Sequence, residues 1–360
     1  MALFEPIALR GVALANRIVV SPMCQYSARE GLAADWHLAH WAQLAQSGAG
    51  LVVVEATAVA RDGRITHGCL GLWDDVRERA FAETLARARA LAPAVPFAVQ
   101  LAHAGRKASS AAPWDGGEPL RDASAWPTVG PSAVAYDAGH PAPRALTVAE
   151  LGDLREAFAA AARRAIRAGA EAIEVHMAHG YLLHEFLSPL ANLRDDAYGG
   201  DRAGRMRFPL EVFDAVRAAL PPERPAGVRV SATDWVDGGW TIDDTIALAR
   251  ELKSRGCDWI DVSSAGISPR QQIESRPGLH VPFARAVREA TGMTTMVVGL
   301  VTEPAQAESI VAGGDADLVA LARGILAHPR WPWHAARALG GKVAVARQYL
   351  RGAPSAIVRR

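Results

Sequence analysis

The sequence predicts a parallel (β/α)8 barrel, also called a TIM barrel, and three observations support this fold class. Eight short apolar runs follow one another, and segments with helical periodicity separate them. No two-residue hairpin signal joins the early runs, as expected for parallel strands that need a crossover connection. The length of 360 residues also suits one such barrel. We therefore expect a single barrel domain over residues 1–360.

An open doubly wound sheet with a second domain is the competing fold. It would require a Gly-x-Gly-x-x-Gly turn after an early strand, and the sequence contains none. The barrel is therefore the favoured interpretation.

Each predicted barrel strand is a short run rich in Val, Ile, Leu and Ala, the composition of strands covered on both faces. The predicted strands are 17–20, 51–59, 97–101, 172–175, 227–231, 259–262, 295–299 and 318–321. The predicted helices are 35–46, 75–91, 147–169, 208–220, 241–256, 283–290, 303–312 and 331–340. Thr147 and Glu150 form a predicted capping box at the start of the third helix.

Three segments lie outside this repeat. Residues 2–16 are predicted to form a short hairpin cap with its turn at Arg10-Gly11. Residues 103–146 are rich in Gly, Pro, Ser and Ala without a sustained period, and we interpret them as an excursion over the active-site mouth that includes a small hairpin. A mobile, non-catalytic loop is the alternative. Residues 341–360 are predicted to form an extended C-terminal arm.

The composition excludes several function classes. The formal net charge is +1 and no block of like charge occurs, which argues against a protein that binds nucleic acid or a membrane surface. Cys24, Cys69 and Cys257 show no metal-ligand spacing, and a sparse, odd set of cysteines favours a reducing compartment. No signal peptide and no apolar run of membrane-spanning length is apparent. These features predict a cytoplasmic protein.

The carboxyl ends of barrel strands carry the chemistry of this fold. His176, His179 and Tyr181 leave the fourth predicted strand together, and they supply hydrogen-bond donors and an exchangeable proton. Cys24 and Tyr26 follow the first strand. A lone buried His is usually a satisfied core residue, and Cys24 alone is best read as a small buried hydrophobe. The three clustered side chains nevertheless favour a catalytic site.

Strands seven and eight end in Gly299 and Arg323, where barrels often bind a phosphate on backbone amides. Arg229, near the carboxyl end of the fifth predicted strand, carries a fixed positive charge. Together with Gln100, these residues suggest a phosphorylated planar cofactor.

Other interpretations of the same residues stay open. Arg229 could pair with a buried carboxylate such as Asp234 or Glu174, and the Gly and Arg of the last two strands could be ordinary turn residues. His176 and His179 could be metal ligands of a barrel hydrolase. That class, however, usually presents His-x-His at its first strand, and this chain also has no His-Glu-x-x-His helix.

Several motifs in chain order resemble the old yellow enzyme family. They are 21–26 (SPMCQY), 100–107 (QLAHAGRK), 176–183 (HMAHGYLL), 186–189 (FLSP) and 205–209 (RMRFP). The resemblance covers essentially the whole chain. It is to the bacterial thermophilic-like branch of NADPH dehydrogenases, ene reductases and xenobiotic reductases, for which Cys24 is a marker because other branches carry Thr there.

The resemblance implies a tightly but non-covalently bound FMN across the barrel mouth, which NADPH reduces without needing a dinucleotide-binding fold. Arg229 would stabilise the charge that develops at the flavin N1/O2 edge. The other implied FMN contacts are to the ring system, from Ser21, Pro22, Met23, Cys24, Ala58 and Gln100, and to the phosphate, from Gly299, Ala322 and Arg323.

The resemblance also implies how an activated alkene is reduced. His176 and His179 would donate hydrogen bonds to its carbonyl or nitro oxygen, hydride would reach the β-carbon, and Tyr181 would protonate the α-carbon. Tyr26 would line the substrate pocket, while Cys24 would tune the flavin potential. A flavin-binding redox sensor without turnover and the metal hydrolase are the alternatives.

In this branch a C-terminal Arg or Trp reaches an active site, in several members that of the neighbouring subunit. Arg351 is the candidate here, which implies a homodimer or homotetramer that acts on small-molecule electrophilic alkenes.

Two positions depart from the family pattern. Met177 replaces a small residue, and Ala322 replaces a Gly, which would cost about 1 kcal/mol if that residue needed a positive φ.

Overall fold

Twelve strands occur in the computed structural model, which describes residues 1–92 and 94–359. In chain order they are β1 Ile7–Leu9, β2 Val12–Leu14, β3 Ile18–Val20, β4 Leu51–Ala58, β5 Phe97–Ala102, β6 Val129–Gly130, β7 Arg144–Ala145, β8 Ala172–Met177, β9 Ala226–Ser231, β10 Trp259–Ser263, β11 Thr295–Val298 and β12 Leu318–Leu321.

Ten α-helices are described in the same residues. They are α1 Asp35–Ala45, α2 Asp75–Ala90, α3 Val148–Arg167, α4 Leu182–Leu187, α5 Arg202–Ala219, α6 Ile242–Ser254, α7 Val281–Thr291, α8 Pro304–Ala312, α9 Arg323–Ala327 and α10 Trp331–Leu339. No described helix is both long and apolar enough to cross a membrane.

Eight of the strands close a parallel barrel in the order β3-β4-β5-β8-β9-β10-β11-β12, and β12 pairs back onto β3. Each of the eight coincides with a predicted strand within about two residues at either end. The (β/α)8 fold class predicted from the sequence is therefore confirmed. Because all eight strands run the same way, their carboxyl ends form one rim, and that rim positions the candidate site.

The barrel strands are buried on both faces, which explains their near-continuous apolar sequence. One apolar cluster fills the barrel interior and includes Val19, Val53 and Met296. Leu9 and Leu14 of the β1–β2 hairpin belong to the same cluster. The predicted hairpin cap is thus confirmed, and it packs against the residues that fill the barrel.

The helices begin largely where the sequence signals place them. The predicted capping box of α3 is present, since Thr147 Oγ1 accepts from the Glu150 amide and the Glu150 carboxylate accepts from the Thr147 amide. For α5 the predicted start at residue 208 was wrong. The helix begins at Arg202 under an Asp201 cap, and Pro209 lies inside it. Proline is common in a first helical turn, so its position within α5 is not the one that local signals favour.

The small hairpin predicted in the excursion lies at residues 109–120, where Ser110 and Pro119 form an antiparallel bridge and the Leu120 amide donates to the Ser109 carbonyl at 2.7 Å. β6 and β7 do not belong to it, since these two-residue strands pair in parallel.

One further prediction needs correction: the C-terminal arm is not extended, since it folds back on itself. The Val343 amide donates to the Ile357 carbonyl at 2.8 Å, and the Arg359 amide donates to the Val343 carbonyl at 2.9 Å.

Candidate functional site

His176, His179 and Tyr181 converge at the carboxyl end of β8. The His176 ring lies 5.1 Å from the His179 ring and 5.2 Å from the Tyr181 ring, both in edge-to-face arrangement. His176 is the last inward-facing residue of β8 and pairs in register with Arg229 of β9. The side chain of His176 forms no hydrogen bond with the described residues, and its Nδ1 is buried without a partner. The sequence-predicted cluster is thus brought together in space.

The turn that carries His179 has an unusual backbone. His179 has φ of +59°, a left-handed conformation that is uncommon for a residue with a side chain. Its amide donates to Ser231 Oγ at 3.0 Å, and its Nε2 lies 2.8 Å from Ser263 Oγ. Gly180 follows at φ +73°, and a Cβ there would lie 2.0 Å from the Gly266 carbonyl oxygen. The backbone of the loop after β10 therefore packs directly against the backbone of the 179–180 turn.

The protonation states of this cluster follow from its burial. Burial, and then the positive charge of Arg229, lowers the pKa of His176 and of His179 well below the usual value. Both imidazoles are therefore neutral at pH 7. Burial raises the pKa of Tyr181 well above 10, so that its hydroxyl keeps its proton. The cluster can donate hydrogen bonds and one proton without carrying charge.

The loop after β3 forms the neighbouring part of the rim. Residues 22–27 are partly exposed although β3 is fully buried. Cys24 lies in this loop as a thiol, because burial raises its pKa well above 9. Tyr26 has φ of +47°, and its ring meets that of Trp114 edge to face at 5.8 Å. Glu55 of β4 holds the loop by accepting the Gln25 amide at 2.8 Å.

Arg229 points into the same end of the barrel, and its side chain is 9 % exposed. Its Nε lies 3.1 Å from Asp261 Oδ2, and its guanidinium forms no hydrogen bond with the described residues. The pairing of Arg229 with a buried carboxylate, which the sequence left open, is therefore present, but the partner is neither Asp234 nor Glu174. Asp234 instead binds His184 at 2.9 Å, while the fully buried Asp261 faces Arg229 across paired strands.

Glu174 lies in the β8 strand, within the barrel. Its two carboxylate oxygens accept from Gln100 Nε2 at 2.9 Å and from Trp259 Nε1 at 3.2 Å. Burial and the nearby Asp261 raise the pKa of Glu174 to about 7. The hydrogen bond to Glu174 therefore fixes the orientation of the Gln100 side chain. Ala58, at the end of the adjoining β4, is buried and carries no polar side chain.

The ends of β11 and β12 have small residues. Gly299 adopts φ +124°, and a Cβ there would lie 2.6 Å from His280 Nδ1. His280 Nδ1 contacts the Val298 carbonyl at 2.5 Å, and Ser264 Oγ lies 2.8 Å from its Nε2. Ala322 has φ −111°, so the replacement of Gly by Ala costs no left-handed strain. Arg323 is exposed at the start of α9.

Two sequence-predicted positions lie apart from this cluster. Arg351 is exposed on the folded-back tail, and it forms no hydrogen bond or ion pair with residues 1–92 or 94–359. Met177 is completely buried in the apolar layer that joins the barrel to its helices. Because side chains alternate along a strand, Met177 faces away from the barrel interior into which His176 projects.

The polar side chains at this end of the barrel suit a flavin. Arg229 and His176 are buried polar side chains without a hydrogen bond from the described protein, and the Ser21 hydroxyl is a third. Buried polar groups are normally satisfied by hydrogen bonds, so three groups without one at the same barrel end, of which only Arg229 has an ion-pair partner, indicate a polar ligand. The ring edge of FMN offers several acceptors, and an Arg suits its N1/O2 side. The residues therefore fit FMN.

A metal centre finds no such support. Among the residues that the structure describes, no group of three or more His, Cys, Asp or Glu side chains could hold a metal ion. His179 instead contacts the hydroxyl of Ser263.

Three supporting residues were missed by sequence reasoning: Glu55, Asp261 and Lys107. Asp261 had a usable signal, since it is a charged residue inside an otherwise apolar predicted strand. Lys107 stands in one of the quoted motifs and is one of only three lysines. Glu55 offered no signal of a specific partner.

Comparison with known proteins identifies the family. Residues 2–340 match the model of the NADH:flavin oxidoreductase / NADH oxidase family. An NADPH dehydrogenase of Geobacillus thermodenitrificans is 42 % identical over 97 % of this chain and 98 % of its own length. An NADH:flavin oxidoreductase of Gibberella zeae is 42 % identical over 96 % of this chain and 87 % of its own.

The structural comparison agrees with the sequence comparison. Morphinone reductase superposes with a TM-score of 0.78 at 26 % identity, over 99 % of this chain and 93 % of that protein. These matches confirm the predicted family, and with it the predicted FMN and a reduced nicotinamide cofactor as its reductant. The chain belongs to the NADH:flavin oxidoreductase / NADH oxidase family and is an FMN-dependent NADH/NADPH oxidoreductase of the old yellow enzyme type.

Proposed function

We propose that this enzyme uses NADPH to reduce activated alkenes, namely α,β-unsaturated carbonyl compounds and nitroalkenes. The observation that carries the proposal is the cluster of two neutral histidines and a protonated tyrosine beside a buried arginine. Such a cluster can polarise a carbonyl oxygen and deliver a proton, which are the two tasks that alkene reduction asks of the protein.

His176 and His179 bind the substrate oxygen. In the tautomer that we propose for His179, Nε2 accepts a hydrogen bond from the Ser263 hydroxyl. Nδ1 then carries the proton and can donate to a ligand. His176 keeps Nδ1 free of protein hydrogen bonds. Two donors on one oxygen stabilise the negative charge that develops there when the β-carbon gains a hydride.

Tyr181 completes the reduction by giving its phenolic proton to the α-carbon. The C=C π bond breaks, the β-carbon gains the hydride, the α-carbon gains the proton, and solvent restores the Tyr181 hydroxyl. The raised pKa of Tyr181 keeps the proton in place until negative charge has developed on the substrate. Tyr26, whose ring meets that of Trp114, would line the pocket from the loop after β3.

When bound, FMN would supply the hydride transfer between NADPH and the alkene. The proposed ring contacts are Ser21, Pro22, Met23, Cys24, Ala58 and Gln100. Arg229 would face the N1/O2 edge, and the loops with Gly299, Ala322 and Arg323 would bind the phosphate through backbone amides. The neutral Cys24 thiol would adjust the flavin potential. We further propose that residues 1–360 form one FMN-binding domain.

The visible spectrum tests this proposal on the purified holoenzyme. NADPH should bleach the flavin band without oxygen, and 2-cyclohexenone should then restore it. Restoration by oxygen alone would contradict the proposal and favour a flavin-binding redox sensor without turnover.

His176→Ala tests the oxygen-binding role separately. The variant should bind phenols and enones at least about tenfold more weakly, because one hydrogen bond to developing or full negative charge is lost. Its flavin content should equal that of the wild type. Phenol titration followed by the flavin spectrum measures the affinity. Loss of flavin in the variant would instead show that His176 is structural.

A substrate contact by Arg351 in a neighbouring subunit stays a prediction, as do the homodimer or homotetramer that it requires. The exposed, unpaired guanidinium in the described part of the chain is compatible with such a contact. Arg351→Ala should raise KM for the enone without changing flavin content, and light scattering should give a mass of at least two subunits. A monomer would contradict the contact.

A further inference from the structure

Lys107 is a partly buried lysine that the proposed chemistry does not use. It belongs to the one-turn 3-10 helix Gly105–Lys107 after β5. Its Nζ donates to the carbonyl oxygens of His179 at 2.9 Å and of Gly266 at 3.1 Å. The same Nζ lies 5.1 Å from the centre of the Tyr181 ring and 4.9 Å from that of Tyr136. The ammonium group thus touches three loops at once.

These contacts converge on the turn that presents the catalytic cluster. The His179 carbonyl belongs to a residue in left-handed conformation, and the Gly266 carbonyl packs against Gly180. Two adjacent carbonyl oxygens repel each other unless a donor lies between them. Lys107 provides that donor, and it thereby fixes the turn on which the Tyr181 side chain is mounted.

The position of the charge matters as well as its hydrogen bonds. A cation over the face of a tyrosine ring is attracted to the ring, and it stabilises negative charge that develops on the phenolic oxygen. Proton transfer from Tyr181 to the substrate places negative charge there. The ammonium group of Lys107 therefore favours the transfer, whereas a neutral side chain of the same shape would not.

We propose that Lys107 is a positioning residue for the proton donor: its ammonium group clamps the 179–181 turn and promotes proton release from Tyr181. This inference rests on the proposed role of Tyr181. It concerns the alkene half-reaction alone, because NADPH needs no proton from Tyr181.

The charge state of Lys107 gives the proposal a pH signature. Burial lowers the pKa of Lys107 to about 8, and Glu185 opposes that shift while Arg106 adds to it. The groups that face Lys107 are Tyr136 of the excursion, Tyr181 and the neutral His179 of the β8 loop, and Glu185 of α4. Burial raises the pKa of Glu185 to about 8. Lys107 is charged below pH 8, so the alkene half-reaction should lose rate as the pH rises through about 8.

The experiment is anaerobic stopped-flow on holoenzyme reduced with NADPH and then mixed with 2-cyclohexenone. Lys107→Met should slow flavin reoxidation by about ten- to one-hundredfold, which is a part of the rate enhancement that a general acid usually provides. The rate of flavin reduction by NADPH should stay within about twofold of the wild-type rate. Lys107→Arg keeps the charge and should recover most of the rate without the decline near pH 8. Glu185→Gln should keep the decline. The exposed Lys342→Met is the matched control, with no expected change.

A double variant separates this role from a general loosening of the site. Added to Tyr181→Phe, Lys107→Met should cost no further rate in the alkene half-reaction, since its effect passes through the missing hydroxyl. A full additional loss in the double variant would overturn the proposal, as would a normal rate in Lys107→Met alone. A Tyr181→Phe variant that reoxidises at the wild-type rate would instead overturn the proton-donor role itself.

Discussion

Tyr181→Phe should slow the oxidation of the reduced flavin by 2-cyclohexenone by about 10²–10⁴-fold, the usual contribution of general acid catalysis. The substitution removes one hydroxyl and leaves the ring that packs against His176 at 5.2 Å. The NADPH step should keep its wild-type rate, since it requires no proton from Tyr181. Anaerobic stopped-flow measurement of each half-reaction separates the two rates.

Tyr198→Phe is the matched control for this prediction. The Tyr198 hydroxyl lies outside the site, where it donates to Glu211 at 3.3 Å. Both half-reactions should therefore be unchanged in the control. Equal slowing of both half-reactions in Tyr181→Phe would count against the proton-donor role, because it would indicate a disturbed flavin site.

Arg229→Met should lower the free energy of unfolding of the flavin-free protein by about 3–5 kcal/mol, the usual cost of removing one partner of a buried ion pair. The reason is Asp261, which is completely buried and has no other cation within salt-bridge distance among the described residues. Methionine fills a similar volume, so the loss reports the charge and not a cavity. Urea unfolding followed by circular dichroism measures the change.

Two further variants show whether the loss of stability comes from the unpaired Asp261 carboxylate. Arg229→Met combined with Asp261→Asn removes both charges and should recover much of the stability. Arg61 and Glu30 form an exposed pair, with side chains 70 % and 53 % exposed, and Arg61→Met should cost less than about 1 kcal/mol. A single Arg229→Met variant as stable as the wild type would show that Asp261 is protonated in the folded protein.

The barrel was predictable because its information is local. Each strand is a short apolar run, as in 51–58, and the helix that follows carries its own signal, as in the Thr147 capping box. Pro209 shows the limit of local reasoning, since a residue typical of a first turn lies within α5. Local patterns place whole elements well and their ends less well.

The residues of the candidate site were predictable from the sequence, but the contacts between them were not. His176, His179 and Tyr181 are close in sequence and leave one strand, so their convergence follows from the fold. The pairing of Arg229 with Asp261 depends on the register between β9 and β10, and the contact of His179 with Ser263 joins residues 84 positions apart. Such contacts exist only once the barrel has closed.

A single turnover tests the central claim most directly. Holoenzyme reduced with one equivalent of NADPH, freed of excess and mixed with 2-cyclohexenone without oxygen, should yield one cyclohexanone per flavin as the yellow colour returns. Colour that returns without product, or reduced flavin that persists until oxygen is admitted, would contradict the account.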